Sequence, residues 1–291
     1  MSEAPRNSPR RPPEFLDEDV GPGDITSNAV WRGESAKASI IAKERCVLCG
    51  TREAAEVFDS VGVKAVALQR EGEMVGPGTK VLELEGPALG LLVAERTALN
   101  FVQRMSGVAT LAAKLVAEAR RTNPKARVAG TRKTTPGLRH FEKRALEIGG
   151  AEPHRMGLYD AMLVKDNHVR VAGSVAEAVK RAREAMRDGY VKRMPIEVEV
   201  QSLEQLHEAL DAKVDCVMLD NFTVEDARKA WELIPDSVEV EVSGGINLEN
   251  VASYSPWADL LSSGALTHSA RACDFSLEID EVMKSPDWKR G

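Results

Sequence analysis

The pattern of apolar and polar positions changes near residue 124. Before that point, short alternating runs separated by glycine and proline predict strands, because the side chains of a strand point alternately to its two faces. A short amphipathic helix is also predicted, and a longer one after Pro87, which we expect to be interrupted near Ser106-Gly107 and to end near Asn123-Pro124. The predicted strands are 38–42, 63–68 and 80–84, and the shorter helix is 51–61.

After residue 124 the pattern becomes regular. Six short apolar runs occur, most of them separated by amphipathic segments, and this alternation predicts a parallel sheet whose strands are joined by helices. The six units span about 150 residues, which favours a barrel or near-barrel shorter than an eightfold barrel of ~250 residues. The predicted strands are 127–129, 161–164, 196–200, 216–219, 238–242 and 259–261, and the predicted helices are 137–148, 174–188, 202–211, 223–233 and 247–253.

Charge is distributed unevenly along the 291 residues, whose formal net charge is −6. Residues 131–170 hold eight Arg and Lys against five Asp and Glu, whereas the other residues hold 31 basic and 40 acidic side chains. A basic segment in an acidic protein favours a small polyanionic ligand over a nucleic acid, whose binders usually spread positive charge over a whole face.

The N-terminal residues and the hydropathy bear on the location of the protein. Residues 1–13 are rich in Arg and Pro without an apolar run, so they predict a disordered tail and not a signal peptide. No apolar segment approaches the ~20 residues that span a bilayer, and we therefore expect no membrane partner and a cytoplasmic protein.

Polar, charged or glycine residues stand at the C-terminal end of all six predicted strands. One such residue is usually a solvated loop residue, but in a parallel barrel all strand ends converge on one mouth, where barrel enzymes place their sites. The recurrence therefore predicts a joint functional site. Its members, in strand order, are Thr131, Arg132 and Lys133; Lys165; Glu199; Asp220; Ser243, Gly244 and Gly245; and Ser263 and Gly264.

The residue types suggest what this site binds. The two glycine segments can cradle phosphate with their backbone N–H groups, or they can simply permit tight turns. Glu199 and Asp220 can hold ribose hydroxyls, hold Mg²⁺ that bridges a pyrophosphate, stabilise a sugar cation, or form salt bridges with nearby cations. Glu197 shares the strand face of Glu199, and spacing alone leaves open which of the two reaches the mouth. The fork of Arg155, next to His154, suits a carboxylate.

The four cysteines offer one further candidate. Cys46 and Cys49 have the spacing of a metal or redox pair, but the sequence holds no second pair to complete a zinc site. Cys216 lies in an apolar run, which is typical of a core position. We therefore expect no functional role for the Cys46/Cys49 pair.

Ten segments carry a resemblance to a known family: Gly23-Asp24-Ile25-Thr26, Glu95-Arg96-Thr97-Ala98-Leu99-Asn100, Ser106-Gly107-Val108-Ala109-Thr110, Thr131-Arg132-Lys133-Thr134-Thr135-Pro136-Gly137, His154-Arg155-Met156-Gly157-Leu158, Lys165-Asp166-Asn167-His168, Glu197-Val198-Glu199, Leu219-Asp220-Asn221-Phe222, Ser243-Gly244-Gly245 and Gly264-Ala265-Leu266-Thr267-His268. With these segments in this order, the sequence resembles the quinolinate phosphoribosyltransferases of NAD biosynthesis, also called carboxylating nicotinate-nucleotide diphosphorylases.

The resemblance implies a fold and an assembly. The fold is an N-terminal α/β sandwich domain over 14–115, joined by 272–291, and an incomplete, open TIM-like α/β barrel over 116–271. The assembly is a homodimer or a higher homo-oligomer in which Arg96 is contributed to the site across the interface.

The resemblance also implies a reaction, in which phosphoribosyl pyrophosphate and quinolinate give nicotinate mononucleotide, pyrophosphate and CO₂. Lys133, Lys165, Glu199 and Asp220 are the implied catalytic residues, and Mg²⁺ accompanies the pyrophosphate. The implied substrate contacts are Arg96, Thr131, Arg132, Lys133, Arg155 and Lys165 for carboxylates and phosphates, His154 beside the pyridine, Glu199 and Asp220 for ribose, and Ser243, Gly244, Gly245, Ser263 and Gly264 for the 5′-phosphate, with His268 nearby.

Two other functions remain open on the sequence. One is a related phosphoribosyltransferase for another heterocycle, such as nicotinate, although two arginines suit a dicarboxylate better. The other is a non-catalytic phosphosugar-binding protein that retains the pocket.

Overall fold

The computed structural model describes residues 10–284, which form two compact units. We call residues 10–111, 136–149 and 270–284 the mixed unit, and residues 112–135 and 150–269 the parallel-sheet unit. No helix in the described part of the chain is both long and apolar enough to cross a membrane.

The strands are β1 (Ser35–Ala42), β2 (Cys46–Val47), β3 (Lys64–Ala67), β4 (Met74–Val75), β5 (Lys80–Pro87), β6 (Arg127–Ala129), β7 (Met162–Val164), β8 (Ile196–Val200), β9 (Cys216–Asp220), β10 (Glu239–Ser243), β11 (Leu260–Ser262) and β12 (Phe275–Met283). The α-helices are α1 (Leu16–Val20), α2 (Ile25–Val30), α3 (Thr51–Ser60), α4 (Ala88–Thr122), α5 (Arg139–Ile148), α6 (Asp166–Ala172), α7 (Val175–Arg187), α8 (Leu203–Asp211), α9 (Val224–Leu233), α10 (Val251–Tyr254) and α11 (Ala265–His268). Two 3₁₀ helices, Pro12–Phe15 and Ser255–Trp257, complete the described elements.

The mixed unit is built on a four-stranded antiparallel sheet with the order β12-β1-β5-β3. Ala38, Ile40 and Ala42 of β1 are fully buried, as the apolar run predicted over 38–42 requires, and Ser39 is buried with them. Beside the sheet, the rings of Phe15, Phe101 and Phe141 pack edge to face with centroids 5.0 to 5.9 Å apart, an arrangement that adds to the hydrophobic contribution of three large side chains.

The predicted interruption of the long helix is wrong. Helix α4 runs without a break from Ala88 to Thr122. Gly107 is instead a site of close packing, because a Cβ atom there would lie 2.1 Å from the carbonyl oxygen of Arg271. The hydroxyl of Ser106 accepts the N–H of Cys49 and donates to its carbonyl. Both residues therefore serve contacts with distant segments of the mixed unit, which local sequence does not reveal.

The chain ends differ from the prediction as well. Residues 1–9 of the predicted tail lie outside the described residues. The tail does not extend to residue 13, because a 3₁₀ helix begins at Pro12, which is buried. Strand β12, which the sequence pattern did not predict, pairs with β1 over its length. Its alternation of apolar and charged residues marks an edge strand, whose stability comes from that pairing.

The parallel-sheet unit confirms the predicted alternation of strands and helices. Its six strands are all parallel, in the order β6-β11-β10-β9-β8-β7. Among these six strands, β6 comes first in the sequence and β11 comes last, and the two lie side by side. Strands β6 and β7 form the two edges of the sheet. No closed barrel forms from the described residues, as the expected open architecture requires.

Side-chain caps define where three of the connecting helices begin. Ser174, Ser202 and Thr223 each accept a backbone N–H from the residue three positions later, at 3.1, 3.3 and 3.1 Å respectively. Each cap satisfies an N–H group that the first turn leaves unpaired and contributes about 1 kcal/mol. The helix starts predicted at 174, 202 and 223 coincide with these caps. Helix α6 was not predicted, because seven residues are too few for a clear amphipathic period.

Candidate functional site

The C-terminal ends of the parallel strands surround a pocket of about 430 Å³. All six strands, or the loops directly after them, contribute to its lining, which is where a parallel α/β sheet places its ligand site. Eleven predicted site residues line this pocket: Thr131, Arg132, Lys133, His154, Arg155, Lys165, Glu199, Asp220, Ser243, Gly244 and Gly245.

The loops that follow β6 and β11, two neighbouring strands of the sheet, meet at Lys133. The backbone N–H of Lys133 donates to the Thr131 hydroxyl at 3.0 Å, and its carbonyl accepts the Thr267 hydroxyl at 2.7 Å. A Cβ atom on Gly264 would lie 3.0 Å from the Lys133 side chain and 2.9 Å from Nε2 of His268. Glycine at position 264 therefore lets the lysine and the histidine approach the loop.

An ion pair and a second carboxylate form the acidic side of the pocket. Lys165 Nζ lies 2.5 Å from Oε2 of Glu199, whose side chain is 7% exposed. Burial, and then the charge of Glu199, raise the pKa of Asp220, while Lys165 acts in the opposite direction. The side-chain amide of Asn221 donates to Asp220 at 2.7 Å. The two carboxylates are thus close enough to repel each other, which favours a positively charged or hydroxyl-rich ligand between them.

The glycine segment after β10 has a conformation that only glycine tolerates well. Gly244 and Gly245 have φ angles of +92° and +66°. A Cβ atom on Gly244 would lie 2.3 Å from Oδ1 of Asn221. Ser263, predicted for the same phosphate cradle, is buried instead: its hydroxyl donates to the carbonyl of Ile246 at 2.5 Å, and it is not among the lining residues. In the structure it joins the two loops.

The basic side of the pocket holds the half-buried side chain of Arg155. Its Nε atom is buried and has no hydrogen-bond partner among residues 10–284. Burial, and then the positive charge of Arg132, lower the pKa of Arg155. The loop that follows is held by Asp160, which accepts the N–H groups of Met156 and Gly157 at 2.5 and 3.3 Å. A buried, unsatisfied donor beside a second guanidinium is a position where an anionic ligand is stabilised.

A buried acidic cluster lies below these cations, and the sequence analysis did not identify it. Glu241 lines the pocket and is 1% exposed, and Oε2 of this residue lies 3.0 Å from Nε2 of His154. The sequence left open whether Glu197 or Glu199 reaches the mouth of the pocket. Glu197 belongs to the acidic cluster, since its carboxylate lies within 4.8 Å of both His154 and Glu241. The available signal was a pair of glutamates two positions apart in each of β8 and β10, alternating with apolar residues.

Three predicted features lie elsewhere. Arg96 is exposed on α4, in the mixed unit. His268 is exposed at the end of α11, and its Nδ1 lies 2.7 Å from the Ser269 hydroxyl. Cys46 and Cys49 are buried thiols, and burial raises the pKa of Cys49, which opposes a reactive thiolate.

Comparison with known proteins identifies the family. Residues 24–106 match the quinolinate phosphoribosyl transferase N-terminal domain, and residues 108–278 match the C-terminal domain of the same family. A protein of Methanocaldococcus jannaschii named a probable nicotinate-nucleotide pyrophosphorylase (carboxylating) is 42% identical over 273 residues, which cover 91% of this chain and 94% of that protein. A protein of Archaeoglobus fulgidus with the same name is 42% identical, with 88% and 98% covered.

A solved structure agrees with the sequence matches. The nicotinate-nucleotide pyrophosphorylase of Ehrlichia chaffeensis superimposes with a TM-score of 0.87 at 35% identity, covering 92% of this chain and 96% of that one. The two domain matches together span nearly all of the described residues. This chain therefore belongs to the quinolinate phosphoribosyl transferase family.

Proposed function

We propose that this protein transfers the phosphoribosyl group of phosphoribosyl pyrophosphate to quinolinate and releases CO₂, forming nicotinate mononucleotide for NAD biosynthesis. The observation that carries the proposal is the pocket at the strand ends, where four cations, Arg132, Lys133, Arg155 and Lys165, stand beside Glu199 and Asp220. Quinolinate supplies two carboxylates for the cations, and the ribose of the second substrate supplies hydroxyls for the carboxylates.

The guanidinium groups orient quinolinate. Arg155 has an unsatisfied buried Nε, and burial, followed by the positive charge of Arg132, disfavours its charged form, which an anionic ligand would stabilise. Two arginines provide planar donors for two carboxylates on adjacent ring carbons, and they point the ring nitrogen in one direction. Nicotinate has only one carboxylate and leaves part of this donor set unsatisfied, which disfavours it.

The carboxylates and the glycine segment orient the sugar phosphate. Glu199 and Asp220 accept hydrogen bonds from the ribose hydroxyls, and Lys165 balances the charge of Glu199. The N–H groups of Gly244 and Gly245 approach the 5′-phosphate, because no side chain intervenes. The bond from the anomeric carbon to the ring nitrogen forms as the bond to pyrophosphate breaks, and nearby carboxylates stabilise the positive charge that develops on the ribose.

Decarboxylation follows from the charge that ribosylation creates. The ring nitrogen becomes cationic, so the electron pair of the breaking C2–carboxylate bond remains in the ring until that carbon takes up a proton. Lys133 and Lys165 hold the substrates in the reactive geometry, and the catalytic contribution of the site is positioning together with electrostatics.

Magnesium is proposed as the cofactor that accompanies pyrophosphate. The donor set fits a hard divalent cation, because Glu199 and Asp220 present carboxylate oxygens and the charge of one raises the pKa of the other. These two residues would hold the ion, and when bound it supplies positive charge that offsets the charge of the leaving group.

The decisive assay incubates the protein with quinolinate, phosphoribosyl pyrophosphate and Mg²⁺ and detects nicotinate mononucleotide by mass, with CO₂ release followed in parallel. Nicotinate and nicotinamide serve as competing substrates. Faster turnover of either would assign the protein to another heterocycle, and binding of phosphoribosyl pyrophosphate without turnover of any of the three would assign it a non-catalytic role. Arg132→Ala and Lys165→Ala are expected to abolish turnover with an unchanged circular dichroism spectrum.

We further propose a cytoplasmic homodimer in which Arg96 completes the site of the partner subunit. Arg96 is exposed on α4, where its charge is accessible to a second copy. Mixing inactive Arg96→Ala and Lys165→Ala subunits should restore roughly a quarter of the wild-type sites, because half of the randomly formed dimers are mixed and each has one complete site. No recovery after mixing would place Arg96 in its own subunit's chemistry or in none.

A further inference from the structure

A hydrogen-bonded bridge in the wall of the pocket connects a loop to a strand. Nε2 of His154 lies 3.0 Å from Oε2 of Glu241, on β10. On the other side of the ring, Nδ1 lies 2.8 Å from the backbone nitrogen of Arg155 and accepts its N–H. The imidazole therefore uses both nitrogens within the protein, and it joins the loop that carries Arg155 to the parallel sheet.

The partners assign the tautomer of this ring. A backbone N–H only donates, so Nδ1 of His154 is the acceptor and carries no proton. Nε2 then carries the ring proton and donates it to the carboxylate of Glu241. A neutral ring in this tautomer satisfies both contacts at once, whereas a proton on Nδ1 would break the bond to Arg155.

The backbone at His154 needs such a restraint. Its φ angle is +54°, in the left-handed region that residues other than glycine rarely adopt. A conformation of this kind persists only where the surroundings impose it. The hydrogen bond to Glu241 restrains His154 from the side of the sheet. The next residue after His154 is Arg155, whose buried Nε has no hydrogen-bond partner among the described residues.

Glu197 is the third member of this cluster. Burial acts against the ionised form of Glu241, but several neighbouring groups, first among them the hydrogen bond and the charge of His154, together hold the pKa of Glu241 below its usual value. The contact with His154 therefore favours the acceptor form of Glu241. The three groups lie within 4.8 Å of one another, but a metal ion there would have to displace the Nε2 proton, so hydrogen bonding accounts for the cluster.

We propose that Glu241 is a positioning residue: by accepting the Nε2–H of His154, it holds the left-handed turn at that residue and thereby places the side chain of Arg155 against the quinolinate site. The inference rests on the proposed function only in naming quinolinate as the ligand of Arg155. The bridge itself is independent of any substrate.

The first test reads the tautomer directly. In uniformly ¹⁵N-labelled protein, long-range proton–nitrogen correlation spectra at neutral pH distinguish a protonated ring nitrogen from an unprotonated one. The five histidines give five patterns, and His154→Asn identifies the one of interest. We expect Nε2 protonated and Nδ1 unprotonated in wild type, with this pattern lost in Glu241→Leu. A proton on Nδ1 in wild type would overturn the proposal.

The second test separates positioning from general damage. Glu241→Leu removes the acceptor, and Glu241→Gln keeps a carbonyl oxygen that accepts the same bond. We expect the leucine variant to raise the KM for quinolinate at least tenfold with the KM for phosphoribosyl pyrophosphate changed less than about twofold, and glutamine to recover most of the loss. His154→Leu should have the same effect, and the double variant should be no worse than either single one.

The matched control is Glu239→Leu, because Glu239 is an exposed glutamate on β10, the strand that holds Glu241. This substitution should leave both KM values unchanged. Equal rises in both KM values for Glu241→Leu, or glutamine no better than leucine, would overturn the positioning role. If Glu241→Leu does not fold, Glu241→Gln decides together with the spectra: a tenfold rise of its KM for quinolinate would overturn the proposal, and near-normal KM values with Nε2 of His154 still protonated would support it. Failure of wild type to turn over quinolinate would count against the proposed function, while the tautomer experiment would still decide the bridge.

Discussion

Replacing Glu197 with Gln should change how the stability of the protein depends on pH. Burial and the neighbouring Glu241 raise the pKa of Glu197 from 4.5 to about 9 in the folded chain. Between those values the folded state holds one proton more than the unfolded state. The stabilising contribution of the protonated carboxyl is complete below pH 4.5 and is lost as pH rises toward 9, at about 1.4 kcal/mol per pH unit.

Glutamine does not titrate, so Glu197→Gln removes this slope. From pH 6 to pH 8, wild type should lose about 2.7 kcal/mol of unfolding free energy relative to the variant. The lowered pKa of Glu241 adds nothing in this window, because that carboxyl is ionised in both states.

Urea unfolding at pH 6, 7 and 8, followed by circular dichroism, measures the difference, provided that the m-values agree between variants. Glu239→Gln, which removes an exposed carboxyl from the same sheet, should give a free-energy curve parallel to that of wild type. If Glu197→Gln also ran parallel to wild type from pH 6 to pH 8, Glu197 would be ionised in the native protein, and the reasoning that the folded state holds one extra proton there would be refuted.

Three further substitutions test particular contacts. Gly244→Ala forces a Cβ atom to 2.3 Å from Asn221 Oδ1, so we expect the KM for phosphoribosyl pyrophosphate to rise at least tenfold in steady-state assays. Arg155→Lys loses the planar fork, and calorimetry should show quinolinate binding weakened about tenfold, or 1.4 kcal/mol, at unchanged stability. Arg144→Met leaves the buried carboxylate of Glu53 and the half-buried carboxylate of Glu71 without their cation, and denaturation should show a loss of about 3–5 kcal/mol.

Local pattern predicted the six strands of the parallel-sheet unit and its helices α7, α8 and α9, because apolar runs and side-chain caps mark them, whereas the short helix α6 shows no clear period. The bounds predicted for β6 and β8 agree with the structure, and three predicted helix starts coincide with side-chain caps, whereas α5 and α10 begin later than predicted and have no such cap. The prediction was wrong at Ser106 and Gly107, where the local sequence suggested a break in α4 that the structure does not contain. Their partners, Cys49 and Arg271, are distant in sequence, and a close packing contact has no local pattern.

Some residues of the candidate site could be predicted from the sequence, and others could not. Lys165, Glu199 and Asp220 were predictable because parallel strands end on one side of a sheet, so that a residue's place at a strand end is enough to bring it there. Glu241 was missed because it lies within a strand, where a charged residue among valines is also consistent with an exposed position. Burial is a property of the assembled sheet, and only burial gives this carboxylate its role.

The sequence by itself determined the strand–helix alternation, the residues at the strand ends and the sign of the charge around them, since all three follow from local side-chain chemistry. Only the tertiary structure decided which of Glu197 and Glu199 lines the pocket, that Ser263 joins two loops, and that His154 is bridged to Glu241. These outcomes depend on distances between segments far apart in the chain. A side chain acquires its protonation state and its partners from neighbours that folding supplies.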